Sequence, residues 1–592
     1  MSKRHAELPL EQNFPGSPAS KKVRVENDTE ANLHNSAPAQ RTSGQELEQD
    51  ERNGLDILAA ADMEGEELQE GAQDMPESSD IDEEVSALSA PKRQTQPMEG
   101  YGDLYLDTIN RSVLDFDFEK LCSISLSNIN VYACLVCGKY FQGRGPKSHA
   151  YFHALEVGHH VFINIALKKV YVLPEGYEVK NQSLDDIKYV VDPHFTKDAV
   201  VKLDREVHDA WDLSGSRYRP GFVGMNQIKK NDYFNCVIQL LAHVHPIRNF
   251  FLLHEFPTPG TPELVLRFRT FVRKLWNPKA FRSHVSPHEL LQEVALRSSK
   301  RFTLSEQSDP VDFLSWFLNT LHLSLGGSKK PSKTPTSVIH ATFQGRVKIE
   351  SQAITAHSDT QNARLVFTES GDIKSNVTPF MILTLDLPPT PPVPLTTLLN
   401  KYNGLTASEK MAHRVRHRLL HPLPPFLFFH IKRFSKNRFV SERNPTIVTF
   451  PSPRGLDMSP YVEPNPEVWP PGEPIMYDLV ANIILDPSIA APGATEDAAD
   501  KGVNAASGAA GSSSGAGGGS EKVSWLVQLH DKAVSAENSR HQGGAAEHSE
   551  WLEIQDLFVK RAESETLFTR EGYLMVWERR KAPGQKGKGR AK

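Results

Sequence analysis

Residues 221–241 read GFVGMNQIKKNDYFNCVIQLL, and the register of this stretch decides how the larger half of the chain is read. From Asp232 onward, Phe234, Val237, Ile238 and Leu241 recur at three- and four-residue spacing, the period of a helix with a broad apolar face. Asn231 and Asp232 stand where that helix begins, and either can cap it, a contribution of about 1 kcal/mol. Cys236 lies one turn deeper on the apolar side and reads as a core thiol with little thiolate character. The turn feeding the helix carries Gln227 and Lys229.

Outward from this stretch, 592 residues allow two or three domains with substantial cores. The net charge of −6 conceals an asymmetry. Residues 1–99 hold 22 acidic against 9 basic side chains, net −13, and the remainder holds 51 against 58, net +7. A mildly basic body permits a ribonucleoprotein partner, snRNA included. Four cysteines, three of them within residues 122–137, argue against a disulfide framework and fit metal binding in a reducing compartment. No apolar run has the length of a signal peptide or a membrane span, so a soluble intracellular protein without a membrane partner is expected.

Residues 1–99 read as a disordered tail. From 42 to 91 there are sixteen acidic residues and one base, Arg52, too little apolar surface to offset chain entropy. Lys21, Lys22 and Arg24 form a compact basic cluster of the nuclear-import kind ahead of that run. Residues 101–204 turn globular, 205–220 read as a linker, and 221–581 form a second globular region. Residues 487–520 are rich in Gly, Ala and Ser and cannot pack a core. Strand-like sequence flanks them, YDLVANIIL before and VSWLVQL after, so they read as a disordered insert between two strands. A basic tail, 582–592, closes the chain.

Cys134-x-x-Cys137 is a thiolate hairpin able to grip one face of a tetrahedral zinc, and His153 and His159 can supply the other two ligands. The competing readings are a buried apolar Cys pair, which leaves the His cluster unexplained, and a redox CxxC, which wants a helix amino terminus where YACLVCGKY suggests a turn. The expectation is one structural Zn2+ contributing folding energy to a region with few other staples.

At these residues the segment 101–200 resembles the ubiquitin-specific-protease (UBP) type of zinc finger. The resemblance places Cys122 and His149 in a second metal site, but Gln142 stands where that site needs Cys, so the pair reads as a remnant. It also matches Arg144 to the Arg that clasps the carboxyl terminus of ubiquitin, with no counterpart after residue 160 for the aromatic that assists it. Ubiquitin is therefore a candidate partner, against a purely structural role for the finger.

The larger region resembles the catalytic domain of ubiquitin-specific proteases, a papain-like cysteine protease fold. Five boxes carry the resemblance: the opening stretch, QSDPVDFLSWFLNTLH (307–322), PFLFFHIKRFSKNRF (425–439), YDLVANII and YLMVWERR. Isopeptide hydrolysis needs a thiolate, a His to generate it, a group to orient the His and an oxyanion donor. The resemblance puts Asp232 at the nucleophile, Ser524 at the His, Gln555 at the orienting acid with Asp556 retained beside it, and Gln227 at the oxyanion position. A lone carboxylate is a poor nucleophile toward an amide. Carboxylate proteases use two Asp sharing a proton, and no partner for Asp232 is evident in the sequence. His530–Asp531 lies six residues past Ser524, about 20 Å along an extended strand.

The chain is thus expected to be α+β: a UBP-type zinc finger, then a ubiquitin-specific-protease fold stripped of its triad, after a disordered tail. That combination resembles the spliceosomal, catalytically inactive branch of the family. The resemblance implies a nuclear scaffold that helps the U4/U6 and U5 particles join as the tri-snRNP, with tri-snRNP proteins as partners. A ubiquitin reader or residual deubiquitinase is the alternative.

Overall fold

The computed structural model describes residues 104–257, 260–330, 334–358, 365–389, 392–410, 413–436, 441–450, 452–486, 523–540 and 550–580. The expectations for the 1–99 tail with its basic cluster, the 487–520 insert and the 582–592 tail lie outside these residues.

The first region is built on five antiparallel strands, β1 (Val131–Cys134), β2 (Tyr140–Gln142), β3 (Val161–Asn164), β4 (Val170–Val172) and β5 (Tyr177–Val179), ordered β2-β1-β3-β4-β5. Their period of two sorts the side chains into two cores. Val131, Ala133, Val161, Ile163, Val170 and Val172 face one side, while Tyr132, Cys134, Phe162 and Tyr171 face the other. Helix α1 (His149–Val157) covers the second side through Ala150 and Ala154, whose small side chains let it approach the sheet closely.

Helices α2 (Asp185–Val191) and α3 (Lys197–Lys202) follow. Residues 205–220, expected as a linker, carry a hairpin of β6 (Ala210–Trp211) and β7 (Arg217–Tyr218). Val200 of α3, with Ala210 and Tyr218, is buried in the core of the second region. A buried ion pair also joins the two regions: Lys274 donates to Asp117 Oδ1 at 2.9 Å and to the Phe116 carbonyl, and Asp117 Oδ2 accepts from Ser286 N at 3.0 Å. Burial would raise the Asp117 pKa, but Lys274 and the Ser286 amide outweigh it and hold the carboxyl below its ordinary value.

In the second region, helices α4 (Asp232–His243), α5 (His245–Leu253), α6 (Glu263–Leu275), α7 (His288–Arg297) and α8 (Pro310–Ser324) pack on an eight-stranded sheet. A separate four-stranded antiparallel sheet holds β8 (Gly345–Ser358), β9 (Leu365–Phe380), β11 (Asn403–Lys410) and β12 (His413–Leu420), ordered β9-β8-β12-β11. The eight-stranded sheet contains β10 (Ile382–Asp386), β13 (Phe426–Lys432), β14 (Arg454–Asp457), β15 (Met476–Asp486), β16 (Ser524–His530), β17 (Trp551–Gln555), β18 (Phe558–Ala562) and β19 (Glu571–Arg579). Its order is β10-β13-β19-β15-β16-β17-β18, with β14 on β15. Phe426, Phe428, Leu574 and Val576 face the helices, and Leu427, Phe429, Met575 and Trp577 fill a core on the far side.

Helix α4 departs from its expected one-sided burial: all twelve of its residues are buried. The layers around it cover its polar side as well, and the polar side chains bond inside, as Gln239 does to the Val223 carbonyl at 2.8 Å. Among the described residues no single helix is long and apolar enough to cross a membrane; α4 and α5 reach that length only as a pair bent by 82°.

Candidate functional site

Two places in the fold gather chemistry-bearing side chains. The first is at the end of β1. Cys134 closes the strand, and Cys137 sits in the turn that follows, where Gly138 adopts φ +74°. A Cβ at Gly138 would meet the Val113 carbonyl oxygen at 2.5 Å, so only glycine fits the turn that presents the two sulfurs. His153 projects from α1, and His159 follows its left-handed cap at Gly158.

The ligand atoms of Cys134, Cys137, His153 and His159 all lie within 4.8 Å of one another, the one such Cys/His group among the described residues. Cys137 Sγ is 3.5 Å from His153 Nε2, which is 3.1 Å from His159 Nδ1. Tetrahedral zinc with ordinary bond lengths gives sulfur–nitrogen and nitrogen–nitrogen edges of about 3.6 and 3.3 Å, so the group fits such an ion. The bond between the two thiols lowers the Cys137 pKa, helped by the neighbouring His side chains, and raises that of Cys134. Phe141 stacks on His153 at 4.2 Å and fixes its ring plane.

Cys122 and His149 join no such group of three or more. Cys122 Sγ accepts from Ser125 N at 3.4 Å, and the Ser125 hydroxyl bonds Gln142 Oε1 at 2.8 Å. Hydrogen bonds thus connect the positions that the second metal site would join. Arg144 lies over the Tyr171 ring at 4.5 Å. Tyr171, read from the sequence only as part of a strand, is the aromatic that lies beneath Arg144.

The second place is the mouth between α4 and the sheet. Asn231 occupies the cap position of α4, yet its side chain makes no cap bond. The expectation that Asn231 or Asp232 caps the helix is corrected here, because both are drawn elsewhere. Asn231 Oδ1 accepts from Ile228 N at 2.7 Å, and its Nδ2 donates to Asn226 O and to Asn235 Oδ1, closing the turn on itself. Asp232 Oδ2 accepts from Gln307 Nε2 at 2.7 Å and from Trp525 N at 3.0 Å. Gln307 also donates to the Val523 carbonyl at 2.8 Å. Asp232 and Gln307 thus staple the helical side to the first residues of β16.

Ser524, at the start of β16, accepts from Gln555 Nε2 at 3.1 Å. Asp556 holds φ +49° in the turn between β17 and β18, and its Oδ1 accepts from Asn235 Nδ2 at 3.0 Å. Asp556 is the carboxylate that feels the Asp232 charge in this cleft. Burial raises its pKa to about 6, and the Asp232 charge adds to the rise. Burial raises the Asp232 carboxyl too, against the bonds from Gln307 and Trp525. No hydrogen bond joins the two carboxyls among the described residues, so they do not form a proton-sharing dyad.

Cys236 is buried and its thiol is pushed well above its ordinary pKa, first by burial and then by both carboxyls. His530 lies at the far end of β16 against Trp551, and Asp531 caps the following helix, accepting from Ala533 N and Val534 N. Gln227 and Lys229 are exposed on the turn. Among these residues no thiolate, imidazole and carboxylate come together.

Sequence reasoning missed Gln307, Asn231, Asn235 and Trp525 as members of this network. Gln307 heads the box QSDPVDFL, so the box itself was the signal. Nothing local marks Trp525, whose contribution is a backbone amide.

Comparison with known proteins places these features. Residues 223–486 match the family model described as ubiquitin carboxyl-terminal hydrolase, and residues 122–184 match the zinc finger in ubiquitin-hydrolases and other proteins. The chain is 46% identical over 512 residues to the probable mRNA-splicing protein ubp10 of Schizosaccharomyces pombe, covering 84% of this chain and 92% of that one. It is 41% identical over 531 residues to ubiquitin carboxyl-terminal hydrolase 39 of Homo sapiens, covering 84% and 85%. A crystal structure described as an essential yeast splicing factor superposes with a TM-score of 0.58 at 29% identity, over 81% of this chain and 100% of that one.

Proposed function

The chain belongs to the ubiquitin carboxyl-terminal hydrolase family, among its mRNA-splicing members, and from that premise we propose that it serves pre-mRNA splicing as a non-catalytic scaffold. Its role is to promote assembly or stability of the U4/U6.U5 tri-snRNP in the nucleus, bound to tri-snRNP proteins. The observation that carries the reading is the Asp232 staple. A carboxylate occupies the start of the buried helix and spends its Oδ2 on Gln307 and Trp525 N, closing the helical side onto the sheet. Ser524 and Gln555 bond each other across β16 and β17, leaving neither a proton acceptor nor a nucleophile poised beside them. The finger holds one structural zinc through Cys134, Cys137, His153 and His159, a closed four-ligand site with no position left for substrate.

The test is add-back of the full chain to nuclear extract depleted of it, with tri-snRNP formation followed on native gels. Asp232→Asn restores assembly as wild type does, while an electrophilic carboxyl-terminal ubiquitin probe labels neither protein. Covalent capture of the probe, or normal assembly in depleted extract, overturns the reading.

One observation favours ubiquitin reading as a second activity: Arg144 is exposed above Tyr171 at 4.5 Å, a cation held over an aromatic face. Titration of ubiquitin against the full chain, with Arg144→Ala as control, decides it; equal binding by both proteins removes it.

A further inference from the structure

Strand β18 ends the eight-stranded sheet, with β17 on one side and no strand on the other among the described residues. Four of its five residues, Phe558 to Arg561, are exposed. Leu557, Phe558 and Val559 expose 51, 70 and 39% of their surface in one run, at the turn beside the retired cleft. Three consecutive exposed apolar residues are costly in solution unless something covers them.

The strand pairing shows what faces outward. Gln555 opposes Phe558 across a two-residue turn. In such a hairpin the closing pair exchanges both backbone bonds, and the alternation turns the N–H and C=O of Val559 and Arg561 toward the open side. On the face shared by Leu552, Val559 and Arg561, a groove of about 410 Å³ runs between β18 and the hairpin β6–β7, floored by Tyr218 and Val223. Asp209 and Asp531 neutralise Arg217 and Arg219 on its far wall. Arg561, on the groove face, makes no ion pair among the described residues, while Lys560 lies on the opposite face across from Glu553.

We propose that β18 is a docking edge for an extended segment of a partner protein, which adds to the sheet as a further strand. On the groove face its side chains are apolar against Leu552 and Val559 and acidic opposite Arg561, two residues along on the same face. Main-chain bonds supply the affinity and the groove the selectivity, as in other strand additions. A second copy of this chain is the poorer occupant, because two β18 strands side by side would bring their Lys560 and Arg561 charges together. The surface stands on the sheet edge alone and holds whether or not the cleft is retired.

The probe is a fluorescent octapeptide, (Val-Ser-Glu-Ser)2, which carries Val and Glu on one face, titrated against the full chain by anisotropy, with (Val-Ser-Lys-Ser)2 as its charge-reversed partner. Wild type binds the acidic peptide at least about tenfold more tightly than the basic one, and Arg561→Glu reverses that order. Val559→Pro, which deletes an outward N–H without touching the β17 ladder, abolishes binding of either. Sedimentation velocity accompanies each titration. Equal binding of the two peptides, or unchanged binding by Val559→Pro, overturns the proposal. So does a concentration-dependent dimer lost in Val559→Pro, which assigns the edge to a second copy.

Discussion

The finger and the cleft both resemble chemical sites, and they have fared differently. At the finger four donors converge with zinc-like spacing, and a glycine that nothing else can replace shapes the turn between two of them. At the cleft Asp232, Ser524 and Gln555, which the proposed reading places at the lost catalytic positions, each make a structural hydrogen bond. The difference follows from what each site contributes to folding. A closed metal site in a small region is folding energy, so its ligands cannot drift without loss of the region. A catalytic group contributes little to stability and can be exchanged once hydrolysis is not needed. Cys122, read from the sequence as a remnant ligand, lies between these cases: its Sγ accepts from Ser125 N, and the Ser125 hydroxyl bonds Gln142.

The widest break in the comparison is at the metal. Cys137→Ser, or a strong chelator, should remove the single zinc and unfold the finger, a loss of about 10 kcal/mol of metal-coupled folding energy. Metal analysis and hydrogen exchange check it, with the sheet holding Leu574 and Trp577 staying protected on its own cores. The joint between the regions comes next. Lys274→Ala leaves the part-buried Asp117 carboxylate with the Ser286 amide alone, at a cost of about 1–3 kcal/mol, and the calorimetric transition should lose its single-step form.

The cleft should respond in the opposite direction. Asp556 has its pKa raised to about 6 by burial, so the stability from its protonation is present in full below about pH 3.9 and is lost as pH rises through about 6. Asp556→Asn should therefore stabilise the chain by up to about 2 kcal/mol at pH 7.5 and give no gain at pH 4, read as melting temperatures at both pH values. Asparagine also tolerates the left-handed backbone at this position. The smallest effect is expected at the remnant. Cys122→Ala should cost about 1 kcal/mol and leave the zinc content at one per chain, because Ser125 and Gln142 retain their bond.

The strands were legible because they are buried on both faces. YDLVANIIL and VSWLVQL, read as strand-like runs, became β15 and β16. Helix α4 was legible as a helix but not as one buried on all sides, since Gln239 and His243 look solvent-facing until Val223 and the rings of Phe222 and Trp276 close over them. The hairpin itself escaped notice: two-residue strands carry too little periodicity to stand out from a connector.

Local sequence alone determined the Cys and His spacing and the alternation that buries each strand, because these depend on residue type and near-neighbour geometry. Tertiary structure decided everything that joins distant segments. It placed Asp556 near Asp232, Gln307 between Asp232 and Val523, Tyr171 beneath Arg144, and β18 at an open edge. Such contacts span tens to hundreds of residues, and no period or local propensity encodes them. Only the packing of helices on a twisted sheet brings those side chains within hydrogen-bond reach, and that packing made a closed structural joint of residues 221–241.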